Sequence, residues 1–147
     1  MKIGVILGSV RPGRMGDRVG QLVAGELERR KHKICVFDPA EYKMGLLEKP
    51  LHFYGPSEDK PRELVDLHTK LCQQDAFVFV TPEYNFSLPP ALTNFIDHFP
   101  YDCWTRKPGS VVTYSMGPFG GMVAGTQLRT VAQVIQLIVL PKVTCIQ

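Results

Sequence analysis

The sequence predicts an α/β domain in which helices cover both faces of a parallel sheet. Three observations carry this. Residues 3–7 and 76–80 are unbroken apolar runs, as strands buried on both faces require. Between such runs, apolar residues recur at helical spacing, as in Val19, Leu22, Val23 and Leu27, and again in Leu92, Phe95, Ile96 and Phe99. The two patterns alternate, and alternating strands and helices give parallel strands joined by right-handed crossovers. At 147 residues the chain suits one domain, 1–147.

The elements follow in order. A strand at 3–7 leads through a glycine-rich turn into a helix that ends in the charged stretch 28–33. A short strand at 34–37 follows. Residues 38–60 are rich in proline and lack periodicity, so they read as a long irregular connection, a type of loop often tied to function. Pro61 opens a helix with Leu64, Leu67, His68 and Leu71 on one line. A strand at 76–80, a loop at 81–90 and the helix of Leu92 to Phe99 come next. A strand at 110–115, a glycine-rich turn at 117–121, a helix at 126–138 and a strand at 143–146 complete the chain.

Composition narrows the function. The balance of 17 basic and 14 acidic side chains leaves a net charge of +3, too mild for a nucleic-acid footprint. No stretch approaches the roughly 20 apolar residues that cross a bilayer, and the opening apolar run is too short for a signal-peptide core. Cys35, Cys72, Cys103 and Cys145 form no C-x-x-C pair and accompany no closely spaced histidine pair, so neither a disulfide framework nor a metal site is read. Scattered free cysteines fit a cytoplasmic protein.

In a parallel sheet every strand-to-helix loop leaves the same edge, where ligands bind. The unusual residues fall in three such loops: GSVRPGRMGD, TPEYNFSLPP and SMGPFGG. In the first, glycines, the Ser9 hydroxyl and the Arg11 and Arg14 charges stand before a helix N-terminus, a ready anion site. The spacing is neither G-x-G-x-x-G nor a P-loop, which favours a single terminal phosphate over a pyrophosphate. The plain alternative is a solvated basic turn. In the second, Pro82, Glu83, Tyr84 and Asn85 combine a flat ring with an amide able to donate and accept, while Glu83 has the simpler alternative of capping a helix. In the third, Ser115, Gly117 and Gly120 let backbone come close to a ring.

GSVRPGR, TPEYN and the run GG-x-x-A-x-x-Q-L-R from Gly120 to Arg129 resemble the NADPH-dependent FMN reductase family, which includes quinone, azo-dye and chromate reductases. The resemblance spans nearly the whole chain. It implies a flavodoxin-like three-layer sandwich, with a five-stranded parallel sheet in order 2-1-3-4-5. Because the chain stops at Gln147, the final helix of that fold is expected to be missing, leaving the face beside the first helix short of cover.

The resemblance also implies an FMN phosphate among Ser9, Arg11, Arg14, Met15 and Gly16. The isoalloxazine would lie beside Pro82, Glu83, Tyr84 and Asn85, closed off by Ser115, Gly117 and Gly120. NADPH (or NADH) is the implied reductant, and a small-molecule electron acceptor (a quinone, azo compound or free flavin) the oxidant. A homodimer or homotetramer is expected, with no catalytic acid or base. A flavodoxin-like electron carrier and a non-catalytic FMN-binding or regulatory protein are the alternatives. Two positions depart from the pattern: Val123 replaces a frequent arginine, and Phe86 precedes Ser87 where relatives have glycine. His98 reads as a surface or interface group. Trp104, with Phe99, Tyr101 and Phe53, reads as a subunit contact.

Overall fold

A computed structural model of the protein describes residues 1–42 and 44–147. Strand β1 is Lys2–Leu7, β2 Lys33–Phe37, β3 Ala76–Pro82, β4 Pro108–Tyr114 and β5 Ile138–Ile146. Helix α1 is Gly16–Arg29, α2 Arg62–Cys72, α3 Pro90–Asp97 and α4 Met122–Val134. Single 3-10 turns lie at Leu51–Phe53 and Tyr101–Cys103. The strands form one parallel sheet in the order β2-β1-β3-β4-β5. The parallel sheet is the one expected from the alternating patterns, and its order is the one the resemblance implied.

Two cores flank the sheet. On one face α2, α3 and α4 pack Leu67, Leu71, Leu92, Phe95, Ile96 and Leu128 against Ile6, Phe77, Phe79 and Val111. On the other, α1 presses Val19, Val23 and Leu27 onto Ile3, Val5, Leu7, Val78, Val80 and Val112. Among the described residues α1 alone covers that second face. Beside it runs an apolar trough of ≈ 730 Å³, lined by Leu22, Leu27, Val78, Val112, Leu140 and Ile146 among others.

Most elements begin where their residue types require. Pro90 is the first residue of α3, where a missing N–H costs nothing. The last helix and strand differ from expectation. Helix α4 starts at Met122, four residues earlier than periodicity indicates, because Gly121 takes a left-handed conformation (φ 83°) and serves as its N-cap. It ends at Val134 because Gln136 turns the chain with φ 65°. Strand β5 then begins at Ile138 rather than 143. The stretch 134–140, apolar except at Gln136, hides this boundary, since apolar runs do not distinguish helix from strand. Pro141 sits within β5 where the pairing with β4 shifts register, a position an edge strand tolerates.

Two readings from the sequence are corrected. His98 is 6% exposed, and its Nδ1 donates to the Asn94 carbonyl at 2.7 Å, so it is buried rather than on the surface. Trp104 is wholly buried against Phe77 and Phe79, with ring centroids 4.8 and 6.2 Å away, and Phe99 is buried beside them. These two rings belong to the core, and only Tyr101 and Phe53 are exposed. Replacing Trp104 by alanine should therefore lower the unfolding free energy by about 3–5 kcal/mol, measured by urea denaturation.

Candidate functional site

The carboxyl ends of β1, β3 and β4 deliver the three unusual loops to one edge. The first loop leaves β1 at Gly8, whose N–H still donates to Val80 at 2.8 Å. A Cβ there would lie 2.5 Å from Thr81 Oγ1, so only glycine fits this approach. Beyond it, Gly13 turns the chain with φ 70°.

Arg14 holds the loop together. Its guanidinium donates through Nη1 to Asp38 Oδ1 at 2.8 Å and through Nη2 to the other carboxylate oxygen. It also reaches the Ser9 carbonyl, and Nε donates to Asp17 at 2.7 Å. The Arg14 and Asp38 side chains are only 9% and 11% exposed. The hydrogen bond to Asp38 raises the Arg14 pKa still further, so the guanidinium stays charged.

Ser9, 1% exposed, has its Oγ 2.6 Å from the Tyr84 hydroxyl and accepts from the Arg11 N–H at 3.3 Å. The exposed Arg11 guanidinium lies over the Tyr84 ring, 3.6 Å from its centroid. Among the described residues it forms no ion pair with a carboxylate, so its charge is free for a ligand.

Helix α1 begins immediately after. Met15 occupies its N-cap position without a side-chain cap, leaving the first N–H groups without intrahelical partners. Gly16 is buried against Tyr114, where a Cβ would come within 2.6 Å of the hydroxyl. That hydroxyl is buried and has no hydrogen-bond partner. Burial pushes the phenol up to about 12. An orphaned hydroxyl, an uncapped helix start and an exposed arginine together fit a bound anion.

The second loop is a tight hairpin. Tyr84 and Ser87 exchange backbone hydrogen bonds of 3.0 and 2.9 Å around Asn85 and Phe86, which have φ of 51° and 55°. Two successive positive φ values make this a type I′ turn, in which the second central residue is usually glycine. Gln127 on α4 clamps it. Its Oε1 accepts from Ser87 Oγ at 3.1 Å and Leu88 N at 3.3 Å, and its Nε2 donates to the Phe86 carbonyl at 3.1 Å. Glu83 Oε2 accepts from the Ala124 N–H at 3.0 Å, the helix-capping role that was its simpler alternative.

In the third loop, Ser115 Oγ accepts from the Gly117 N–H at 3.1 Å. Glu83, Asn85, Phe86, Ser115, Gly117 and Phe119 line a cleft of ≈ 250 Å³ between the second and third loops.

The structure thus brings Ser9, Arg11, Gly16 and Tyr84 to one end of the edge, and Glu83, Asn85, Ser115 and Gly117 to the other. Pro82 ends β3, paired with Tyr114. Other expected residues point elsewhere. The Arg14 guanidinium turns to Asp38, the Met15 side chain is exposed, and Gly120 packs its backbone on Cys145 and Ile146. Sequence reasoning missed Tyr114, Asp38 and Gln127. Gln127 stood within the quoted GG-x-x-A-x-x-Q-L-R run. The other two carry no local signal, because each meets the site across the sheet.

Parallel strands in this order, with mononucleotide-type loops at the carboxyl edge, define the flavodoxin-like class of α/β proteins. Residues 1–146 match the model of the family described as NADPH-dependent FMN reductase. The chain belongs to that family. It is an FMN-dependent oxidoreductase that uses NAD(P)H. It is 34% identical over 142 residues to the NAD(P)H-dependent FMN reductase LOT6 of Saccharomyces cerevisiae, covering 89% of this chain and 73% of the relative. It is 24% identical over 147 residues to a 2-hydroxy-1,4-benzoquinone reductase of a Burkholderia species, covering 95% and 74%. The solved structure of FerB, a flavoenzyme NAD(P)H:(acceptor) oxidoreductase from Paracoccus denitrificans, superposes with a TM-score of 0.74 at 23% identity. It covers 97% of this chain and 77% of that one, a likeness of fold.

Two outcomes test this geometry. Phe86→Gly should raise the unfolding free energy by about 1 kcal/mol by relieving the left-handed backbone, as read by thermal or urea unfolding. Tyr114→Phe should stabilise the ligand-free protein by about 1 kcal/mol while weakening FMN binding about tenfold. The wild-type phenol ionises at 10.0 unfolded and about 12 folded because burial disfavours the phenolate, so its titration leaves stability unchanged below pH 10 and lowers it as pH rises from 10 through 12. Tyr114→Phe should remove that alkaline loss.

Proposed function

We propose that the first loop and the start of α1 hold the FMN phosphate, and that the second and third loops hold its ring system. The observation that carries this reading is the buried, unpartnered Tyr114 hydroxyl against Gly16 at the uncapped start of α1, in the loop that also exposes the Arg11 guanidinium. Ser9 and the α1 N–H groups would donate to phosphate oxygens. Arg11 would leave the Tyr84 ring and form a charge-assisted contact, so that Tyr84 becomes free to border the flavin. Asn85 would present its amide to the ring edge, and the backbone at Ser115 and Gly117 would close the opposite side. When bound, FMN supplies the two-electron chemistry that links NAD(P)H to an acceptor. The chain's own groups bind, orient and shield.

The acceptor is proposed to be a flat, largely apolar molecule of the quinone type. Phe86 and Phe119 on the cleft are 68% and 63% exposed, offering ring faces for stacking. The quinone reductase among the relatives supports the same choice. The exposed Arg11 and the +3 charge favour an enzyme over an acidic electron carrier. Exposed apolar side chains gathered around this edge, including Val10, Leu46, Met116 and Met122, support a homodimer or homotetramer. Four free cysteines support a cytoplasmic location, and no helix of the described residues is long and apolar enough to cross a membrane.

The test is a flavin titration followed by rapid mixing with NADPH. Wild-type protein should quench FMN fluorescence and bleach the bound flavin quickly, and a quinone should restore the colour. Arg11→Ala should weaken FMN binding by about 10–100-fold. Unchanged affinity would remove Arg11 from the phosphate site.

A further inference from the structure

At the opposite edge of the sheet, where α2 ends and β4 begins, four donor side chains converge. His68 and Cys72 lie one helical turn apart on α2, and Asp102 and Cys103 lie on the 3-10 turn before β4. His68 Nε2 is 2.8 Å from Asp102 Oδ1 and 3.3 Å from Cys72 Sγ. The ligand atoms of His68, Asp102 and Cys103 all lie within 4.8 Å of one another. We propose that His68, Asp102 and Cys103, joined by Cys72 through a rotation of its side chain, form a binding site for one divalent transition-metal ion of the zinc type.

The donor set suits that ion. Two sulfurs, an imidazole and a carboxylate are the ligands zinc takes in closed tetrahedral sites. Zn–N and Zn–S bonds of the usual length put neighbouring ligand atoms roughly 3.3–3.8 Å apart. The spacings within the His68, Asp102 and Cys103 triad bracket that range, and a rotation of the exposed Cys72 side chain, already 3.3 Å from His68 Nε2, adds the fourth ligand. In the metal-free cluster a neutral His68 with its proton on Nε2 donates to Asp102 and faces the Cys72 sulfur as a second, weaker acceptor. A metal ion at the centre takes the lone pairs of all four donors instead, once the imidazole proton moves to Nδ1. Each thiol gives its proton to solvent on ligation, and Cys103 gives up its 3.1 Å contact with the Pro100 carbonyl.

The surroundings hold the donors in place. The His68 ring stacks parallel to Phe99 at 6.5 Å, with planes 7° apart. Lys107 Nζ donates to the Cys72 carbonyl at 2.9 Å and the Leu71 carbonyl at 3.3 Å, which anchors the last turn of α2. Cys103 is fully buried, while Cys72 and Asp102 open to solvent and provide a path for the ion. Sequence spacing conceals the site, since His68 and Asp102 are 34 residues apart. Its position on the far edge makes its role structural, stapling α2 to the segment that leads into β4.

The experiment uses the 147-residue chain, washed with chelator and then exposed to iodoacetamide with or without one equivalent of zinc chloride. Labelling at each cysteine is read by peptide mass spectrometry. Zinc should slow labelling of Cys72 at least about tenfold and leave Cys35 and Cys145 unchanged. His68→Gln should abolish that protection. Asp102→Asn, at an exposed position that folding tolerates, should weaken it and so keeps the test open if His68→Gln folds poorly. Equal Cys72 labelling with and without zinc overturns the site, as does protection that survives undiminished in Asp102→Asn.

Discussion

The carboxyl edge of the sheet is organised by one nearly buried ion pair, Arg14 with Asp38. Asp38 follows β2 and Arg14 precedes α1, so the pair ties the first loop to the neighbouring strand. Two charges placed so deeply are stable only because their hydrogen bonds are nearly complete. The carboxylate takes both Nη groups and the Ala40 N–H, and the guanidinium also reaches Ser9 and Asp17. Breaking such a pair by removing one partner is costly, since an uncompensated charge remains inside. The pair therefore sets the loop conformation, and through the Ser9 carbonyl it sets where the Ser9 hydroxyl points. The two arginines of the opening motif divide two tasks: one shapes the backbone, while the other stays exposed on the Tyr84 ring.

The second and third loops show the same economy. Glu83 belongs to β3's loop but caps α4, and Gln127 belongs to α4 but clamps β3's loop. These reciprocal bonds fasten the two sides of the cleft together. They let a hairpin with a left-handed phenylalanine persist, because neighbouring contacts fix the conformation that Phe86 alone would avoid. Strain at a ligand-facing rim keeps an aromatic face presented to the cleft rather than folded into the core.

The parallel sense and the three-loop edge were legible in the sequence because each rests on local pattern: apolar runs, helical periodicity and clusters of glycine and charge; the strand order came only through the resemblance carried by the loop motifs. What escaped depended on contacts between distant segments. Periodicity placed the start of α4 too late because the cap is supplied by Gly121 and Glu83, not by residues with helical spacing. Trp104 and His98 read as surface groups because single-sequence pattern does not show which face of a short segment turns inward. Tyr114 looked like an ordinary strand residue, and only the fold brings its hydroxyl beneath α1 without a partner. Asp38 opened a long irregular segment and gave no hint of the arginine it meets.

Strand β5 borders the sheet with nothing paired to its outer side among the described residues. A long apolar border strand is ordinarily a template for self-assembly into extended aggregates. Here the register shift, a proline with no amide hydrogen at 141 and a charged lysine at 142 interrupt the row of outward donors and acceptors. An incoming chain could match only a few consecutive amides on either side of that interruption. The kink at this margin guards the molecule against amyloid-like growth and confines stickiness to the flat, oily side beside α1.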